Sequence, residues 1–86
     1  MMIDLDRLRR VLEILSKREK RMNVQQIWRS DYILGYTCLK RILRDFEGVL
    51  FRVVRRNGRI YDVVLLKDGY EMLRILRRLK RHRVKQ

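Results

Sequence analysis

Residues 36–46 read Tyr36-Thr37-Cys38-Leu39-Lys40-Arg41-Ile42-Leu43-Arg44-Asp45-Phe46. At 100° per residue the stretch divides into two faces. Leu39, Ile42, Leu43 and Phe46 recur at i, i+3, i+4 and i+7 and form one apolar stripe. Tyr36, Thr37, Lys40, Arg41 and Arg44 fall on nearly the opposite side, a face with three cations, a hydroxyl and a phenol but no carboxylate. Such a helix can bury one side and offer donors to the base edges and phosphates of a DNA major groove. An ordinary amphipathic helix with a solvated basic face has the same pattern. The flanking sequence separates the two cases.

Upstream, residues 5 to about 20 form the first expected helix, with Leu5, Leu8, Val11, Leu12 and Leu15 on one face. Asp4 or Asp6 caps its start, and Asp6–Arg10 and Glu13–Lys17 are spaced as i,i+4 ion pairs. A second helix is expected over about 24–31, opened by Asn23 and Gln26 at capping-box spacing, with Val24, Ile27 and Trp28 on its buried side. Residues 30–32 are a weak breaker and Gly35 is the clearest break before the two-faced helix. Short helix, turn and longer helix in succession make helix-turn-helix order.

Downstream, Gly48 closes the third helix, and two β-branched and aromatic runs, 49–54 and 60–65, flank Arg55-Arg56-Asn57-Gly58-Arg59. Asn-Gly between such runs signals a tight hairpin whose two central residues take positive φ. That turn sets Arg56 opposite Arg59, Arg55 opposite Ile60 and Val54 opposite Tyr61. Like charges facing each other at a tip destabilise the hairpin, so a tip that keeps three arginines is expected to meet an anion. A tip merely kept soluble is the plainer alternative. A last helix spans about 68–83, with Asp68 and Glu71 at capping-box spacing and Met72, Ile75, Leu76 and Leu79 as its apolar stripe. Arg74, Arg77, Arg78 and Arg81 lie across from that stripe.

The charge balance is the strongest global feature. Twenty-three Lys and Arg against ten Asp and Glu leave +13, and 47% of the residues are hydrophobic. So basic a domain is expected to bind a polyanion. Eighty-six residues suit a single domain, 1–86, with a modest core that dimerisation can supplement. The longest uncharged apolar run, 63–66, is far too short to span a membrane. The opening Met1-Met2-Ile3-Asp4 lacks a signal-peptide pattern, so a cytoplasmic location is expected.

Taken in order, helix, short helix, two-faced helix, hairpin and helix, the chain resembles a winged helix-turn-helix domain of the small MarR-like and PadR-like type, including archaeal regulators. Residues 36–46 resemble that family's recognition helix, and Gly48-Val49-Leu50 resembles the glycine and apolar pair leading into the wing. Residues 57–61 and Leu66-Lys67-Asp68-Gly69-Tyr70-Glu71 resemble the wing turn and the start of the closing helix. The implied fold is α+β, mostly α: three helices, a two-stranded β-hairpin wing over 50–65 and a C-terminal helix. The implied function is binding of double-stranded DNA by a transcription regulator acting as a homodimer. Tyr36, Thr37, Lys40, Arg41 and Arg44 would face the major groove. Arg55, Arg56, Asn57 and Arg59 on the wing would reach backbone or minor groove. Met72, Ile75, Leu76 and Leu79 would pair the subunits.

Other functions find less support. RNA or ribosome association is the main rival, and non-specific, chromatin-like DNA binding is another; A-form RNA has a major groove too narrow for the two-faced helix. No glycine-rich phosphate loop, metal-spaced cluster or nucleophile motif occurs in the sequence, so neither an enzyme nor a cofactor, metal or small-molecule ligand is expected. Cys38, between the two faces, reads as a half-buried filler, Trp28 as core and His82 as a solvated tail residue.

Overall fold

The computed structural model describes residues 4–17 and 21–84, with side chains as far as residue 79. His82 and Arg81 therefore lie outside the described side chains. The chain is α+β: four α-helices and a three-stranded antiparallel sheet. In order these are α1 (Leu5–Lys17), β1 (Arg21–Asn23), α2 (Val24–Ser30), a 3-10 turn (Tyr32–Leu34), α3 (Tyr36–Asp45), β2 (Phe51–Arg56), β3 (Arg59–Leu65) and α4 (Lys67–Val84). No described helix is long and apolar enough to cross a membrane.

The helical periodicity of the sequence carries through to the core. Leu8, Val11, Leu12 and Leu15 of α1 meet Leu39, Ile42 and Leu43 of α3 in one buried cluster, with Ile27 and Leu34 from the segment between. Leu5, expected on the same face of α1, is exposed at its first turn. Asp4 caps α1, its Oδ1 accepting from the Arg7 amide at 3.1 Å. Asp6 instead pairs with Arg9 and Arg10, whose hydrogen bonds hold its carboxyl below the usual carboxylate range. Glu13 pairs with Arg77 of α4 at 3.0 Å and with Arg9 at 3.6 Å, so its tightest partner lies across the helix interface instead of at Lys17.

Three sequence expectations are corrected in the sheet. First, Arg21, next to the expected end of the first helix and assigned to no strand, lies on β1, which pairs antiparallel with β3 as Arg21↔Val64, Met22↔Val63 and Asn23↔Asp62. The sheet order is β1-β3-β2, so the hairpin is two of three strands. A three-residue strand is too short for alternation to show in sequence. Met22, buried beside Val24, is its one apolar anchor. Second, the strand that was expected from Val49 begins at Phe51. Gly48 sits beyond the end of α3 in a tight turn, with φ +81° and its amide donating to the Phe51 carbonyl at 2.7 Å.

Third, the hairpin register slips. Asn57 and Gly58 have the expected positive φ of 52° and 77°, and Arg56↔Arg59 and Arg55↔Ile60 pair as expected. Val54, however, faces Asp62, not Tyr61, because β3 carries a bulge there. The cause is burial. An unbroken register would put Asp62 on the inner face with Phe51 and turn Val63 and Leu65 outward. One extra residue reverses this: Phe51↔Leu65 and Val53↔Val63 face the core, and Asp62 faces out, where Arg21 reaches it at 2.8 Å.

The stripe expected on α4 is also corrected. Leu73 and Leu76 are buried, at 2% and 4% exposure, and Met72 packs partly against the core. Ile75 and Leu79 are half exposed, at 49% and 48%. Gly69 sets this rotation. A Cβ there would lie 2.7 Å from the Leu50 carbonyl oxygen and 2.4 Å from Leu65 Cδ1. Only glycine lets the first turn of α4 approach the strand ends so closely, and Gly69, Leu73 and Leu76 share the inward side. Asp68 lies inside that first turn, where its charge suits the helix dipole, and does not precede the helix as a cap. Gly69→Ala is expected to lower the melting temperature by about 5–15 °C, through overpacking against a backbone atom that cannot rotate away. A thermal melt followed by circular dichroism checks this; an unchanged midpoint would mean that α4 docks elsewhere.

Candidate nucleic-acid interface

The α2–turn–α3 unit is assembled by local capping. Asn23 Oδ1 accepts from the Gln25 amide at 2.8 Å, and the Asn23 amide donates to Gln26 Oε1 at 3.1 Å, completing the expected capping box. α2 stops at Ser30, and Asp31, expected as its last residue, caps the 3-10 turn by accepting from the Ile33 amide at 3.1 Å. The other oxygen of Asp31 binds Arg10 of α1 at 2.8 Å, which ties the turn to the body of the domain and raises the Arg10 pKa. Gly35, at φ +73°, then redirects the chain into α3. The fold thereby fixes the direction in which the exposed side of α3 faces.

Leu39, Ile42 and Leu43 are buried, while Tyr36, Thr37, Arg41 and Arg44 are exposed and Lys40 is half-buried. The two faces of α3 are thus those read from periodicity, with Cys38 half-buried between them. Tyr36, Lys40 and Arg44 line one wall of an open groove of about 630 Å³. Arg55, Arg56, Gly58 and Arg59 of the β2–β3 hairpin line the other. Thr37 and Arg41 are exposed but do not line it, and neither does Asn57, whose role is the turn itself.

The groove's charges differ in availability. Arg55 makes a two-pronged ion pair with Glu47, with N···O distances of 2.5 and 2.6 Å. The Arg55 hydrogen bonds hold the Glu47 carboxyl below its usual range, and Glu47 in turn raises the Arg55 pKa. Arg56 lies over the Tyr61 ring, 4.0 Å from its centroid, in a cation–π contact. Lys40 lies 5.4 Å from the centre of the Tyr36 ring. No carboxylate pairs with Lys40, Arg41, Arg44, Arg56 or Arg59 among the described residues. Those cations remain available to an anion from outside.

Trp28 packs partly against the core, and its ring meets Tyr32 and Tyr36 edge-on at 5.4 and 5.7 Å. It therefore positions Tyr36 at the groove's edge. Tyr61, Ile60, Asn23, Val24 and Gln25 also line the groove, and sequence reading had assigned none of them to a site. Tyr61 carried a signal, an aromatic two residues from a basic tip. Asn23 and Gln25 carried none, since only the packing of α2 beside the sheet brings them there. No group of His, Cys, Asp and Glu able to hold a metal ion occurs among the described residues. Comparison of the chain with models of known families, with curated proteins and with solved structures finds no match.

Proposed function

We propose that this chain is a winged helix-turn-helix protein that binds double-stranded DNA as a transcription regulator. α2, the 3-10 turn and α3 form the helix-turn-helix, and the β2–β3 hairpin is the wing. The observation that carries the reading is the shared groove: α3 and the hairpin tip present their unpaired cations to the same concavity. A duplex with α3 in its major groove offers phosphates and an adjacent minor groove to the hairpin at the same time. The net charge of +13 supplies long-range attraction for the polyanion.

The protein acts as a homodimer in this reading, with Ile75 and Leu79 of α4 at the subunit contact and Met72 at its margin. Two α3 helices would then address half-sites about one helical turn apart, ~34–36 Å. A nucleoid location follows from the binding. Selection of bound duplexes from a random pool tests the proposal. A two-fold symmetric motif is expected, and duplex RNA of the selected sequence should bind far more weakly, since its major groove excludes a helix. No enrichment, or equal binding of RNA, would overturn it.

A further inference from the structure

The basic face of α3 is wider than the groove it borders. Tyr36, Lys40 and Arg44 recur at i, i+4 and i+8 and form one row toward the hairpin. Thr37 and Arg41 lie about 100° and 140° further round the helix than Tyr36 and form a second, exposed row. We infer that the two rows have different ligands: Tyr36, Lys40 and Arg44, together with Arg56 and Arg59, clasp the sugar–phosphate strand, and Thr37 and Arg41 are the residues that read base edges. This rests on the duplex-DNA reading above.

The argument is geometric first. A helix in the major groove and a hairpin tip in the neighbouring minor groove have one phosphate strand between them. Side chains that project into the gap between helix and hairpin therefore meet backbone, and those on the row beyond it meet the groove floor. The chemistry of each row agrees. The groove row is donor-rich, no carboxylate lines the groove among the described residues, and Glu47 is already occupied by Arg55. On the far row a carboxylate does stand close: Asp45 lies one helical turn after Arg41. An acid there repels the full charge of a phosphate more strongly than the partial charges of a base edge. Arg41 has no ion-pair partner among the described residues, so its planar fork is free for the two acceptors of guanine, O6 and N7. Thr37, one turn before it, offers a methyl and a hydroxyl to a neighbouring base pair. Tyr36 is held by the edge of Trp28 and by Lys40, as suits a fixed phosphate donor more than an adaptable base reader.

The test uses the full chain and a duplex from the selection described above, with every single-base-pair variant of one half-site, at several salt concentrations. Lys40→Ala and Arg44→Ala should weaken all the duplexes by a common factor and each reduce the slope of log affinity against log salt by about 0.9. Arg41→Ala should erase a preference for one G·C pair, roughly a 5- to 150-fold loss of discrimination there. Arg41→Lys separates charge from shape. It should keep affinity for unrelated duplex yet lose the guanine preference, an outcome that mere structural damage would not produce. Arg41 and Arg44 are exposed and Lys40 is half-buried, and unchanged thermal melts confirm folding of each variant. The inference is overturned if Lys40→Ala or Arg44→Ala reorders the sequence preferences, or if Arg41→Ala weakens every duplex alike. Failure of the wild-type chain to bind duplex DNA at all would instead remove the function on which both rest.

Discussion

Raising the salt from 50 to 200 mM is expected to weaken duplex binding by about 10³–10⁵-fold, as for proteins that neutralise roughly 6–10 phosphates. The magnitude follows from the groove. Lys40, Arg44, Arg56 and Arg59 border it with no carboxylate partner among the described residues, whereas Arg55 is tied to Glu47. In the proposed dimer, two subunits would present about eight cations, each releasing close to one condensed counterion from the duplex. Fluorescence anisotropy over a salt series gives the slope directly. A nearly flat response would point to a protein partner, because contacts between proteins screen far less steeply. Glu47→Gln offers an internal check: it frees Arg55 and should steepen the slope, provided that Arg55 lies within reach of the backbone.

Replacing Leu76 by glutamate is expected to unfold the domain instead of merely parting two subunits. Leu76 is 4% exposed and belongs to the same buried cluster as Leu73 and the leucines of α1. A carboxylate there has no partner, and an uncompensated buried charge costs several kcal/mol. A domain of this length has a total stability on the order of 4–13 kcal/mol, so most of it would be lost. The double change Ile75→Glu with Leu79→Glu should behave in the opposite way. Both side chains are half exposed, so the melt should move by only a few degrees while sedimentation shifts from dimer to monomer. A native melt for Leu76→Glu would show that α4 is rotated from the position described. A wild-type chain that sediments as a monomer at high concentration would end the case for pairing through α4.

These three positions on one helix show how far periodicity reaches. Met72, Ile75, Leu76 and Leu79 have helical spacing, and a spacing rule alone cannot say which edge of a broad apolar stripe turns inward. Gly69 decides it, because the carbonyl of Leu50 needs the space that a side chain would fill. Gly69 was visible in the sequence as part of a family-like start to the helix, but its neighbour across the fold was not. The hairpin shows the same limit. Asn57-Gly58 was sufficient to place the turn, since few residue pairs tolerate two positive φ angles in succession. The register beyond the turn followed the competition between Asp62 and Val63 for the inner face, and the bulge beside Tyr61 is its result.

The helices, the hairpin turn and the two faces of α3 were legible in the chain because each depends on neighbours within a few residues: stripes at helical spacing, the Asn23–Gln26 cap and the Asn57-Gly58 pair. The third strand, the pairing of Arg55 with Glu47, the separation of Leu76 from Ile75 and the division of α3 into a row facing the hairpin and a row beyond it came only with the packed molecule. Each of these depends on which surfaces meet across long stretches of chain. Burial of Phe51, Val63 and Leu73, not local spacing, selects those meetings, and it turns the α3 cations and the hairpin tip toward one groove.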